Sequence, residues 1–213
     1  MERIAVKQLQ AALICAARQI VEAEPLLTEL DTLIGDGDHG TGMKSGFSAL
    51  GQQLQAMEYT TLRELFHAAG LCLVRSMGGA SGVLFGTLWI GGLEMLPDGA
   101  SLSPCELVAF FGKSIEAIQR RGRASPGEKT MVDALLPAQG AMELAIEQSN
   151  SMAEVLQAGY RGALAGVEQT KAMLPRAGRA KNFREKALGH PDPGAVSVSI
   201  IFGGLAEGIV NQR

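Results

Sequence analysis

Leu30-Asp31-Thr32-Leu33-Ile34-Gly35-Asp36-Gly37-Asp38-His39-Gly40-Thr41-Gly42-Met43 gathers three carboxylates, one imidazole and four glycines into a single short run. Like charges held this close repel one another and lose hydration on folding, so a folded chain keeps them together when a cation binds among them. Carboxylate oxygens on a glycine-hinged loop suit a hard ion such as Mg²⁺ or Ca²⁺. Mg²⁺ commonly completes its octahedron with water and phosphate oxygens, and the glycines leave backbone N–H groups free to approach such phosphates. A metal–nucleotide site is the first expectation.

Other readings of the run fail on context. Gly35-x-Gly37-x-x-Gly40 matches a dinucleotide fingerprint in letters, but that motif follows a strand, and Leu26, Leu27, Leu30, Leu33 and Ile34 recur at helical spacing. An EF-hand loop opening at Asp36 needs a bidentate Glu at its twelfth position, where Phe47 stands. A solvated polar turn between helices is the plain alternative.

The 213 residues are 46% hydrophobic and 5% aromatic, enough for one aliphatic core, and residues 1–213 read as a single domain. A net charge of -3 offers no basic field for nucleic acid. Cys15, Cys72 and Cys105 are odd in number and far apart in apolar helical contexts. They read as reduced core residues of a cytoplasmic protein. Residues 76–93 carry no charge, but their six glycines with Ser76, Ser81 and Thr87 make a poor membrane span. The N-terminus has no signal-peptide pattern, so neither export nor a membrane is expected.

Moving outward, Ile4 to Ile20 marks an amphipathic helix that should stop before Pro25. A second, about 43–57, should begin on the acidic loop with its N–H groups facing any anion held there. Thr61-x-x-Glu64, Ser103-Pro104-Cys105-Glu106 and Ser151-x-x-Glu154 are capping boxes that open helices to about 76, 121 and 173. Gly78-Gly79-Ala80-Ser81-Gly82 leads into another helix, through Ile90. Residues 131–149 form a further helix that Pro137 should kink or restart, and 194–211 form the last. Eight helices and no convincing strand predict an all-α, antiparallel eight-helix barrel or bundle. The acidic loop, the 78–82 glycines, the 122–130 loop and the 176–194 segment are alternate connections, so they can share one rim.

Four ordered motifs carry a resemblance: Gly35-Asp36-Gly37-Asp38-His39-Gly40, Gly78-Gly79-Ala80-Ser81-Gly82, Gly127-Glu128-Lys129-Thr130-Met131-Val132-Asp133-Ala134-Leu135-Leu136-Pro137 and Gly189-His190-Pro191-Asp192-Pro193-Gly194-Ala195. Together they resemble the DhaL family, the nucleotide-binding subunits and domains of dihydroxyacetone kinases. The resemblance implies an eight-helix barrel holding ADP or ATP at its rim with two Mg²⁺. It implies Asp31, Asp36 and Asp38 as metal ligands. As nucleotide contacts it implies His39, Gly40, Thr41, Gly42, Ala80, Ser81, Gly122, Met131, Arg179, Asp192, Pro193 and Gly194. Arg179 joins the three aspartates as catalytic. The implied partners are a ketone-binding DhaK-like subunit and a DhaM-like phosphoryl donor of the phosphotransferase system, with a homodimer left open. Gly42 stands where many members have Asn, and Glu128 where Asp is usual. The residues also leave open another ketose kinase, such as one for erythrulose using exchangeable ATP, and a regulatory nucleotide-binding module that transfers no phosphate.

No Walker sequence competes, because Gly112-Lys113-Ser114 has Leu107 where that motif needs its first glycine. Phosphoryl transfer asks a protein for positioning and charge neutralisation, which is what the three aspartates and glycine-rich turns could supply.

Overall fold

A computed structural model describes residues 2–177, 181 and 183–212. Eight long helices close a ring, each packing on the next: α1 (Val6–Glu22), α3 (His39–Ala56), α4 (Leu62–Met77), α5 (Gly79–Ile90), α6 (Pro104–Gly122), α7 (Val132–Gln148), α8 (Met152–Thr170) and α9 (Pro193–Val210), which returns to α1. Short connections make neighbours antiparallel, so alternate loops gather at one rim. This is the barrel expected from the sequence. A further helix, α2 (Glu24–Ile34), follows α1 almost directly and packs on α3 and α9. Pro25 ends nothing beyond α1; it sits in the first turn of α2, where its missing N–H costs no bond.

The core is aliphatic with one aromatic run. Phe66 stacks on Phe110 at 4.6 Å and on Trp89 at 5.8 Å, and Phe111 meets Phe202 at 5.1 Å. Removing any of these rings would cost about 3–5 kcal/mol by lost burial and cavity formation. The ring closes where α9 lies against α1, and there side chains on Gly204 or Gly208 would run into Ala16 and Ala12. Helix α9 is the one helix among the described residues long and apolar enough to cross a membrane, and most of it is buried inside this fold.

At the end away from the acidic loop, two-residue strands β1 (Ile4–Ala5) and β2 (Ser101–Leu102) pair antiparallel, with Ile4 opposite Leu102. The Thr61 and Ser103 boxes form as expected, each hydroxyl accepting the N–H of its Glu and each Glu reaching back. Ser151 departs from expectation: its side chain makes no cap bond to α8, whose first N–H, at Met152, is taken by Glu2 Oε2 at 2.6 Å. Pro137 does not restart the helix and lies inside a continuous α7. It removes the N–H that would pair with the Asp133 carbonyl, and α8 presses Gly166 against that carbonyl, where any side chain would collide. Packing on α8 thus holds a helix that local propensity alone would break. The three cysteines are unpaired and only partly buried, at the periphery of the core.

Candidate functional site

The rim bearing the acidic loop opens into a cavity of about 660 Å³. Its walls come from the end of α2 and the acidic loop, from Met77 to Ser81, from Leu84 and Phe85, from Lys129 to Met131, from Ala177 and from Asp192 to Gly194. All four glycine-bearing connections therefore meet at one end, as the alternation of helices required.

Asp31, Asp36 and Asp38 place one carboxylate oxygen each within 4.8 Å of the others. Asp31 rises from the last turn of α2 and is drawn inward, while Asp36 and Asp38 face solvent. Its Oδ2 accepts the His39 backbone N–H at 3.0 Å, which ties α2 to the first residue of α3. Gly35 lies so close to Asp31 that a β-carbon there would overlap its Oδ1. Gly37 turns the loop at φ +77, a conformation L side chains rarely adopt. Three hard oxygen donors gathered on one loop, with open space beside them, fit Mg²⁺.

Across the cavity, α5 begins at Gly78 and Gly79, with φ +68 and +59. Gly78, Gly79 and Ala80 are exposed, and the first N–H groups of a helix have no partner within it, so those of α5 are available to an anion. Helix α3 begins at His39 rather than Met43, because the loop continues directly into its first turn. The His39 ring is buried beside Phe85, with Nε2 2.8 Å from Ser197 Oγ on α9. Burial lowers its pKa below the ordinary value, against the pull of Asp31 and the Pro193 carbonyl, so the imidazole is neutral and links the acidic loop to α9.

The third wall turns on two buried carboxyl groups. Asp133 accepts the N–H of Gly127 at 2.5 Å and of Thr130 at 2.8 Å, which closes the turn before α7. Asp192 caps α9 by accepting the Ala195 N–H at 2.7 Å. Its pKa is pushed up to about 7 by desolvation; the Ala195 bond and Lys129 pull it down, while Asp133 and Asp31 push it up.

Of the expected contacts, Asp31, Asp36, Asp38, His39, Thr41, Gly42, Ala80, Ser81, Met131, Asp192, Pro193 and Gly194 all line this cavity. Two do not. Gly122 closes α6 and faces Leu84, so it supports the wall from behind. Gly40 is buried in the seam with α2, where a β-carbon would sit 2.5 Å from the Glu24 carbonyl oxygen. Arg179 lies outside the described residues. Sequence reasoning missed Ile34, Met77, Leu84, Phe85, Lys129 and Thr130 as wall residues. The apolar ones carry the same periodicity as core residues. Lys129 did have a signal, as a lone cation between a glycine turn and the inward-facing run Met131–Leu135.

A family model for the DAK2 domain matches residues 33–207. The chain is 37% identical over 180 residues to the PEP-dependent dihydroxyacetone kinase, ADP-binding subunit DhaL, of Escherichia coli (strain K12), covering 84% of this chain and 86% of that subunit. It is 35% identical over 204 residues to L-erythrulose kinase of Pectobacterium atrosepticum, covering 90% of this chain and 33% of that protein. The crystal structure of the dihydroxyacetone kinase from C. freundii in complex with AMP-PNP and Mg²⁺ superposes with a TM-score of 0.75 at 28% identity, covering 97% of this chain and 35% of that one. The chain thus spans most of the bacterial subunit but about a third of the two longer kinases.

Proposed function

This chain belongs to the DAK2-domain family, and we propose that residues 1–213 form one nucleotide-binding domain. It serves as the phosphotransfer subunit of a dihydroxyacetone-type kinase, holding ADP or ATP with two Mg²⁺. The observation that carries this reading is the pairing, across one cavity, of three clustered carboxylates with the open N-terminus of α5. Asp31, Asp36 and Asp38 would hold the ions, and the N–H groups of Gly79, Ala80 and Ser81 would take phosphate oxygens. Bound Mg²⁺ supplies neutralisation of phosphate charge and a template for the transferred group. Leu84, Phe85, Met131 and Gly194 give the cavity a more apolar part of its wall, which suits a nucleoside. Neutral His39 holds the acidic loop against α9 through Ser197, and Arg179 would add charge at the transferred group. By analogy with the bacterial relatives, which are subunits of a kinase, the ketone would come on a separate DhaK-like subunit. A DhaM-like donor of the phosphotransferase system would recharge the nucleotide, by analogy with the bacterial relatives. The three unpaired thiols suit the cytoplasm.

A second reading, the nucleotide domain of an erythrulose kinase, is favoured by the likeness to L-erythrulose kinase over 90% of the chain. Native mass spectrometry of the purified protein should show retained nucleotide and Mg²⁺, and reconstitution with a ketone-binding subunit should give turnover of dihydroxyacetone. Turnover by the purified chain alone would overturn the subunit assignment. Faster turnover of erythrulose in the reconstituted enzyme would decide for the second reading.

A further inference from the structure

We propose that Lys129 is a positioning residue for the nucleotide, a buried cation that pins the turn bearing Met131 to the turn bearing Asp192–Gly194. The proposal rests on the nucleotide reading above. Lysine is almost never buried without partners, yet Lys129 is 1% exposed and lines the cavity. Its backbone is held at φ +60, a left-handed conformation that a non-glycine residue keeps only where its surroundings enforce it. The enforcement is visible on both sides, since Asp133 takes the N–H of Gly127 and of Thr130.

From that fixed backbone the ammonium donates to the Thr170 carbonyl at 2.5 Å and the His190 carbonyl at 2.6 Å. Thr170 ends α8, so its carbonyl, which also accepts the Met173 N–H at 3.1 Å, belongs to the partly negative terminus of that helix, where a cation is favoured. The same Thr170 accepts the Asp192 N–H on its Oγ1 at 3.0 Å. A continuous chain of bonds therefore runs from the Lys129 turn through the end of α8 to the start of α9. Among the described residues no carboxylate lies within ion-pair distance of the ammonium, so its bonds are spent on carbonyls that set the spacing of the two turns. That spacing is close. A side chain on Gly194 would come within 3.4 Å of the Met131 β-carbon. Met131 and Gly194 thus meet in one wall, against which the nucleoside would lie, whereas the phosphates would lie toward the aspartates and α5.

The test is calorimetry of wild type, Lys129→Met and Thr170→Val with Mg·ADP and with Mg·pyrophosphate. Lys129→Met should weaken ADP by roughly tenfold or more while leaving pyrophosphate within about twofold, because pyrophosphate has no nucleoside to seat. Equal weakening of both ligands would mark a residue that only stabilises the fold, and unchanged ADP affinity would likewise overturn the proposal. Thr170→Val breaks the link to Asp192 but leaves the Lys129 carbonyl contact. It should weaken ADP by about threefold, and it carries the test if Lys129→Met does not fold. Wild type that binds Mg·ADP beside unaffected variants sinks only the proposal. Wild type that binds neither ligand sinks the nucleotide reading and the proposal with it.

Discussion

The backbone N–H of His39 donates to Oδ2 of Asp31 at 3.0 Å, so one carboxylate both joins α2 to α3 and faces the metal-binding cluster. The two duties separate by substitution. Asp31→Asn keeps an oxygen acceptor for the His39 N–H but loses the charge; Asp31→Ala loses both. Each variant should lose Mg-dependent ADP binding. In EDTA, where ligand stabilisation is absent from both, Asp31→Ala should melt several degrees below Asp31→Asn, since a hydrogen bond contributes about 0.5–1.5 kcal/mol, leaving a buried donor unpaired costs about 1–3 kcal/mol, and 1 kcal/mol shifts Tm by roughly 2–4 °C at this size. Equal melting points by calorimetry would show that the bond does not secure α3.

Gly35 should be as sensitive as the aspartate it touches. A β-carbon there would occupy the place of Asp31 Oδ1 and force that carboxylate away from Asp36 and Asp38. Gly35→Ala should therefore keep its helical circular dichroism and lose Mg²⁺ and ADP together. Retained ADP affinity in excess Mg²⁺ would mean that the glycine serves the turn alone.

Chelation should destabilise the protein. Asp31, Asp36 and Asp38 repel once ions leave, and a ligand at a thousandfold excess over its Kd contributes about 4 kcal/mol. Loss of metal and nucleotide together should lower Tm by on the order of 10 °C. Asp36→Asn should raise the melting point in EDTA and reduce the gain from Mg²⁺ with ADP, because it relieves repulsion and removes a ligand at once. Scanning calorimetry reads both signs, and a wild-type Tm indifferent to EDTA would reject the metal site. Asp38→Asn should likewise lose metal and nucleotide together.

Asp192 should leave a mark on stability against pH. Burial holds its folded pKa at about 7, above the ordinary 3.8, so the folded state binds the proton more tightly than the unfolded chain. Its contribution is fully present below about pH 4, falls as pH rises through about 7, and is constant above. His39 works the other way: with its pKa lowered by burial, its contribution is present above 6.5 and is lost as pH falls through the depressed value. The total curve therefore mixes opposed slopes, and the comparison with Asp192→Asn isolates one. In EDTA, the variant should gain on wild type by on the order of a few kcal/mol between pH 4 and 7. A difference from urea denaturation that stays flat across that window would place Asp192 in a more polar environment than its burial implies.

Sequence alone determined most of what is local. The 3.6-residue spacing of Leu9, Leu13, Ala16 and Ile20, the capping boxes at Thr61 and Ser103, and the Asp–Gly composition of residues 35–42 each report a helix, a start or a turn without reference to the rest of the chain. The shared rim was legible too, because short connections force alternate loops to one end. Tertiary structure decided what depends on distance between residues far apart in the chain. Pro137 stays inside α7 because α8 packs against it. Helix α2 survives as a separate element because α3 and α9 cover one of its faces. Gly122 falls behind the wall and Lys129 into it. Lys129 with Thr170, and His39 with Ser197, are separated by 41 and 158 residues. No periodicity within one helix carries such pairings; they follow from ring closure, which sets every helix end against two others and makes buried polar groups find partners there or lose their hydration uncompensated.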